Sequence, residues 1–152
     1  MTPPVRVDHV GIAVHDVRES EPLLELLGAR KLVHERDEDQ GFTWAYYALG
    51  GASRLELIEP IAGRESFLTA FLDARGPGLH HVTLEVASLD ATVTSLEAAG
   101  VRVVDEAARE GYREAFVPPG EAAGVLFQLI EYDAGFGADH GDAVFIGGEP
   151  LR

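Results

Sequence analysis

The chain has 152 residues, of which 46% are hydrophobic and 25% charged, the balance of a globular domain large enough to bury a core. A net charge of −14 argues against a nucleic acid or an anionic membrane as partner, since both require a basic face. Cysteine is absent, which excludes disulfides, thiolate metal sites and cysteine nucleophiles.

Met1–Arg6 lacks the apolar core of a signal peptide, and no segment is apolar over the ~18 residues of a membrane span, so a cytoplasmic location is expected. Arg6 to Val14 reads as a strand, and Asp16 is a good N-cap for a helix over Val17 to Leu27 that Gly28 stops. Ala29 to Glu35, Phe42 to Leu49 and Arg54 to Glu59 follow as strands, divided by a charged turn and by Gly50-Gly51. Arg64 to Arg75 reads as a connector helix, and Gly76-Pro77-Gly78 resets the chain. A second series begins with a strand over Leu79 to Val86 and a helix capped by Ser88 that ends at Gly100. Strands over Val101 to Val104, Tyr112 to Val117 and Val125 to Tyr132 complete it. In the tail, rich in Gly and acidic residues, only Val144-Phe145-Ile146 has packing character.

Both series read strand, helix, strand, strand, strand, and they are copies. An interval of 72 residues carries His9 onto His81, Gly28 onto Gly100, and Leu55-Glu56-Leu57-Ile58-Glu59 onto Phe127-Gln128-Leu129-Ile130-Glu131. Such a repeat implies tandem duplication of one βαβββ unit. The expected fold is α+β: modules over 1–62 and 79–132, a connector over 63–78, a tail over 133–152, and one curled mixed sheet forming a cup with helices outside.

The repeat also selects a constellation. His9, Glu56, His81 and Gln128 are polar residues at matched positions of strands that otherwise read as buried. A buried carboxylate must find an arginine or a metal. Two imidazoles, one carboxylate and one amide oxygen suit a divalent transition ion such as Co, Ni, Zn, Mn or Fe, which would act as a Lewis acid on substrate oxygens. Regular alternation puts Asp8 on the face opposite His9 and His80 opposite His81, so His80 is left out of the ligand set. Arg54, Arg113 and Glu121 are candidates for the rim, whereas His15, His34 and His140 read as surface residues.

Asp8-His9-Val10-Gly11-Ile12-Ala13-Val14, Leu55-Glu56-Leu57-Ile58-Glu59-Pro60, Gly76-Pro77-Gly78-Leu79-His80-His81-Val82 and Gly124-Val125-Leu126-Phe127-Gln128-Leu129 resemble the vicinal oxygen chelate (glyoxalase/dioxygenase) superfamily. The likeness covers residues 6 to 132 and is greatest to the methylmalonyl-CoA epimerases, with glyoxalase I next. It implies metal ligands at His9, Glu56, His81 and Gln128 and proton transfer through a metal-chelated enolate, on a small-molecule substrate of the acyl-CoA type. It also implies a homodimer.

Two departures stand out. The epimerases usually carry Gln at the Glu56 position and Glu at the Gln128 position. Their catalytic glutamate follows a Gln-Gly turn, where this chain has Gln40-Gly41-Phe42-Thr43-Trp44. Trp44 cannot act as a base, which leaves Glu56 as the candidate, with Trp44 and Tyr46 as candidate pocket residues. The alternatives are a lyase like glyoxalase I, a binding protein of the same fold that sequesters a small molecule, and an iron dioxygenase.

Overall fold

The structure is a computed structural model that describes residues 2–50, 53–121 and 124–133, together with the backbone of two short strands in the tail. In chain order it comprises β1 (Arg6–Ala13), α1 (Val17–Leu26), β2 (Arg30–Asp37), β3 (Phe42–Ala48), β4 (Arg54–Pro60), α2 (Phe67–Arg75) and β5 (Gly78–Glu85). Then follow α3 (Leu89–Ala98), β6 (Val104–Arg109), β7 (Tyr112–Val117), β8 (Leu126–Tyr132), β9 (Phe145–Ile146) and β10 (Glu149–Pro150). No helix among the described residues is long and apolar enough to cross a membrane. Apart from Asp133 and the paired backbones of β9 and β10, the tail lies outside the described residues, as does His140.

Strands β1 to β8 form one curled mixed sheet in the order β2-β3-β4-β1-β5-β8-β7-β6. The two halves meet where β1 pairs antiparallel with β5, and within each half the first strand runs parallel to the last, β1 with β4 and β5 with β8. This pairing is irregular at two places that the repeat relates. Asp8 is an extra residue on β1 between the pairs Val7–Leu84 and His9–Thr83, and His80 is an extra residue on β5 between Gly11–His81 and Ile12–Leu79. Such bulges re-aim side chains.

The convex face carries two matching cores. Val17 and Leu24 of α1 cover Val14, Ala45, Tyr47 and Leu57, while Leu89 and Val93 of α3 cover Val86, Ala115, Val117 and Leu129. Each helix is tied to its sheet by the same contact. The Glu59 carboxylate accepts from the Val17 amide at 2.6 Å, and the Glu131 carboxylate accepts from the Leu89 amide at 2.6 Å. An anion at a helix N-terminus satisfies a free amide and the helix dipole together. Helix α2 sits elsewhere: Leu68 and Leu72 pack on Ala13 and Ile58, with Phe42, Trp44 and Phe71 around them, closing one end of the concave face.

The second strand of the second half differs from expectation. Val101 and Val103 pack against the α3 core without joining the sheet, and β6 begins only at Val104. Its residues Val104–Arg109 form an outermost strand, bulged near Asp105 at φ 55°. An edge strand has one partner, and a polar, bulged sequence discourages pairing with other chains, so β6 carries no apolar alternation. Replacing Glu59 or Glu131 with Ala should each lower the unfolding free energy by about 1 kcal/mol in urea titrations; unchanged midpoints would show that these carboxylates do not cap the helices.

Candidate metal centre

Four strands aim side chains into the bottom of the cup. His9 comes from β1, His81 from β5, Glu56 from β4, opposite Gly11, and Gln128 from β8, opposite Thr83. His9, His81 and Glu56 are all buried. His9 Nε2 lies 3.2 Å from His81 Nε2, and Glu56 Oε2 lies 3.3 Å from His9 Nε2 and 3.0 Å from His81 Nε2. Ligand atoms about 2.1 Å from one ion and at right angles stand about 3 Å apart, so these three atoms have the spacing of neighbouring metal ligands. Two imidazoles and a carboxylate also have the softness of a divalent transition-metal site.

The bulges decide how the imidazoles are held. Asp8 turns beside His9, and its Oδ2 accepts from His9 Nδ1 at 2.7 Å, leaving Nε2 for the centre. A carboxylate behind a ligating histidine fixes both ring and tautomer. His80, the repeat counterpart of Asp8, stands behind His81 with its Nδ1 2.9 Å from His81 Nδ1. Burial and the neighbouring His81 lower the His80 pKa to about 4, so its ring is neutral and has one nitrogen able to accept a hydrogen bond. The alternation expected for Asp8 and His80 therefore fails. Neither contributes an atom to the cluster of three donors, but both touch the imidazoles that do.

Space is as specific as polarity here. The His81 ring lies over Gly11, where a Cβ would come within 2.0 Å of its Cε1. At the matching place on β5, Thr83 puts its hydroxyl 3.0 Å from His9 Nε2.

Behind the centre lies a buried ionic network. Asp8 Oδ1 accepts from Arg6 at 3.0 Å and from the Tyr132 hydroxyl at 2.9 Å, and it also pairs with Arg54. Burial opposes the Asp8 charge, yet His9, Arg54 and Arg6 outweigh it and hold its pKa below the usual value. Burial likewise opposes charge on Glu56, but His9 and His81 keep it ionised well below the usual carboxylate range. For His9, burial is outweighed by Glu56 and Asp8, and its pKa rises from 6.5 to about 9. A metal ion must displace that proton.

Gln128 is not one of the three clustered atoms. Its Oε1 accepts from Thr83 Oγ1 at 2.6 Å, and its Nε2 donates to Glu114 at 2.7 Å. Tyr46, opposite Glu56, places its hydroxyl 3.3 Å from both His9 ring nitrogens, with the rings edge-on at 4.9 Å. Burial raises its pKa well above 10, so it remains a hydroxyl. Trp44 lies on the same face, edge-on to Tyr46, and packs into the cluster under α2, so it is both wall and core.

Arg54 is buried against Asp8 and not at the rim. Arg113 pairs with Asp90 of α3 on the convex side, and Glu121 stands 4.0 Å from Arg102, so neither is seen to serve the centre. His15 and His34 are exposed, as expected. Sequence reasoning missed Asp8, His80, Thr83, Tyr132 and Glu114. The signals were available in part: Thr83 and Tyr132 share strand faces with His81 and Gln128, and the repeat links Asp8 with His80.

Residues 8–116 match the Glyoxalase/Bleomycin resistance protein/Dioxygenase superfamily. The chain is 35% identical to YqjC, an uncharacterized protein of Bacillus subtilis (strain 168), over 83% of this chain and 91% of that protein. It is 30% identical to the mitochondrial methylmalonyl-CoA epimerase of Homo sapiens, over 82% of this chain and 72% of that one. The crystal structure of methylmalonyl-CoA epimerase from Mycobacterium tuberculosis superposes with a TM-score of 0.76 at 37% identity, covering 88% of this chain and 93% of that one. A methylmalonyl-CoA epimerase of Streptomyces coelicolor, solved in complex with 2-nitronate-propionyl-CoA, gives 0.75 at 34% identity, covering 86% and 99%.

Two measurements test the geometry of the centre. Gly11→Ala should displace the His81 ring and weaken Zn²⁺ binding by about tenfold or more, read by competition with a chromophoric chelator; unchanged affinity would show that the ring is free to move. In chelator-treated protein, charged His9 stabilises the fold fully below pH 6.5, and that contribution is lost as pH rises through about 9. The melting temperature should accordingly decline over this range, and the decline should be absent in His9→Gln.

Proposed function

The chain belongs to the Glyoxalase/Bleomycin resistance protein/Dioxygenase superfamily, and on that footing we propose that it is a metal-dependent enzyme of the epimerase or isomerase type. Its reaction would be proton transfer at a carbon next to a carbonyl, with an acyl-CoA thioester such as methylmalonyl-CoA as substrate class. The observation that carries this reading is the buried cluster of His9, Glu56 and His81, three donor atoms 3.0–3.3 Å apart at the bottom of a cup. The relatives named methylmalonyl-CoA epimerase, and the complex of one of them with an acyl-CoA analogue, support the substrate class.

Each residue has a definable part. His9, His81 and Glu56 would hold the ion, with the Gln128 amide oxygen as fourth donor. When bound, a divalent ion supplies Lewis-acid polarisation of a carbonyl oxygen, which makes the neighbouring C–H more acidic. Asp8 and His80 hold the two imidazoles so that Nε2 of each faces the centre. Tyr46 keeps its proton and offers a hydroxyl to a substrate oxygen. Trp44 presents an apolar wall that keeps water from the reacting carbon. Glu56 is the candidate base, a role that requires one carboxylate oxygen to turn from the imidazoles towards substrate; its strongly favoured ionised form suits the ligand role better. A homodimer belongs to the same proposal.

Trp44 favours a second reading, in which the cup binds a small molecule without chemistry. It occupies the place where the resemblance puts a carboxylate, and it packs as a wall beside Tyr46.

Protein purified without chelators should contain a divalent transition metal, and His81→Ala should lose it while remaining folded. In D₂O the metal-loaded protein should exchange the α-proton of methylmalonyl-CoA or a related acyl-CoA. A folded wild type that takes up no added metal, or a metal-loaded protein that binds acyl-CoA without exchange, would overturn the catalytic reading and leave the binding one.

A further inference from the structure

Glu114 lies on the concave face of β7 and is buried, with both carboxylate oxygens engaged. Arg109 Nε donates to Oε1 at 2.7 Å, and Gln128 Nε2 donates to Oε2 at 2.7 Å. In the sheet Glu114 stands opposite Ile130, as Trp44 stands opposite Ile58, so the repeat makes these two residues counterparts. The repeat thus places a tryptophan on one wall of the cup and a carboxylate on the other.

A carboxylate has no proton to donate when ionised, so it accepts only the NH₂ end of a primary amide. With that end held by Glu114, the carbonyl end of Gln128 faces Thr83, whose hydroxyl lies 2.6 Å from Oε1 and 3.0 Å from His9 Nε2. A chain of contacts therefore runs from Arg109 through Glu114 and Gln128 to the cluster of donors. Reversing the amide would set its oxygen against a carboxylate oxygen and its NH₂ against Thr83. A glutamate at position 128 would bring two carboxylates to the same 2.7 Å contact, which like charges disfavour.

We propose that Glu114, anchored by Arg109, is a positioning residue that locks Gln128 with its carbonyl oxygen towards the His9–Glu56–His81 cluster, making a neutral amide the fourth donor of the site. This rests on the metal-binding reading above and deepens it. The donor set carries a single carboxylate because Glu114 excludes a second one at position 128. Glu114 acts through Gln128, and its influence on the metal vanishes when Gln128 is removed.

The test is a double-mutant cycle on Zn²⁺ affinity, with the Co²⁺ visible spectrum as a second readout. Glu114→Ala and Gln128→Ala should each weaken Zn²⁺ binding by about tenfold to a hundredfold. In the Gln128→Ala background, adding Glu114→Ala should change affinity by less than about twofold. Glu114→Ala and Gln128→Ala should also alter the bound Co²⁺ bands in the same way. Glu114→Leu fills the space without an acceptor and serves if the alanine variant does not fold, foldedness being read from the metal-free melting curve. Full affinity in Glu114→Ala or Glu114→Leu, or an equal loss with and without Gln128, would overturn the positioning role. Absence of Zn²⁺ binding by the wild type would instead overturn the metal reading itself.

Discussion

The antiparallel pairing of β1 with β5 is the constraint on which the rest of the molecule depends. It joins the two halves of the sheet, and it contains both bulges. An extra residue on each strand lets two consecutive side chains, Asp8-His9 and His80-His81, serve one concave site. Without them Asp8 would face the convex side, and the His9 ring would have no anion behind it. The same seam sets the distance between the rings, since His81 lies over Gly11 and His9 lies against Thr83.

Charge within the seam is balanced locally, which is what lets so polar a site be buried. Asp8 is 1% exposed and is surrounded by Arg6, Arg54, Tyr132 and His9. Arg6 in turn reaches Glu85 at 2.6 Å. A buried ion without partners is strongly unfavourable, so each of these groups depends on the others being in place. In the metal-free protein the two imidazoles offset the charge of Glu56, so a proton on His9 fills part of the role that a cation would take.

Two departures from symmetry give the cup its character. Glu56 and Gln128 occupy matched places, and so do Trp44 and Glu114. Each half therefore has one acidic and one uncharged member of these pairs, arranged crosswise. The first half puts its carboxylate among the imidazoles and its tryptophan on the wall. The second puts an amide towards the imidazoles and its carboxylate behind that amide. Shape can be preserved by duplication while charge is redistributed between the copies, because a hydrogen bond replaces apolar contact at the same register.

Much was legible in the chain before any coordinates. Hydrophobic periodicity marked the helices and the buried strands, since each buries one face and must repeat at its own period. The interval between the two His-Val strands revealed the duplication and brought out His9, Glu56, His81 and Gln128, because a polar residue at matched buried positions demands a reason. Register within the β1–β5 seam was hidden. A bulge adds one residue without a compositional mark, so regular alternation puts Asp8 and His80 on the wrong face. The edge strand β6 was hidden for a related reason, having a polar sequence and little core to face. The sequence by itself determined the duplicated α+β scaffold and which polar residues needed partners, because burial and periodicity are local consequences of composition. Only the tertiary structure decided which partners they have, with Asp8 behind His9, His80 behind His81 and Glu114 holding Gln128, because those contacts depend on how distant strands are registered against one another.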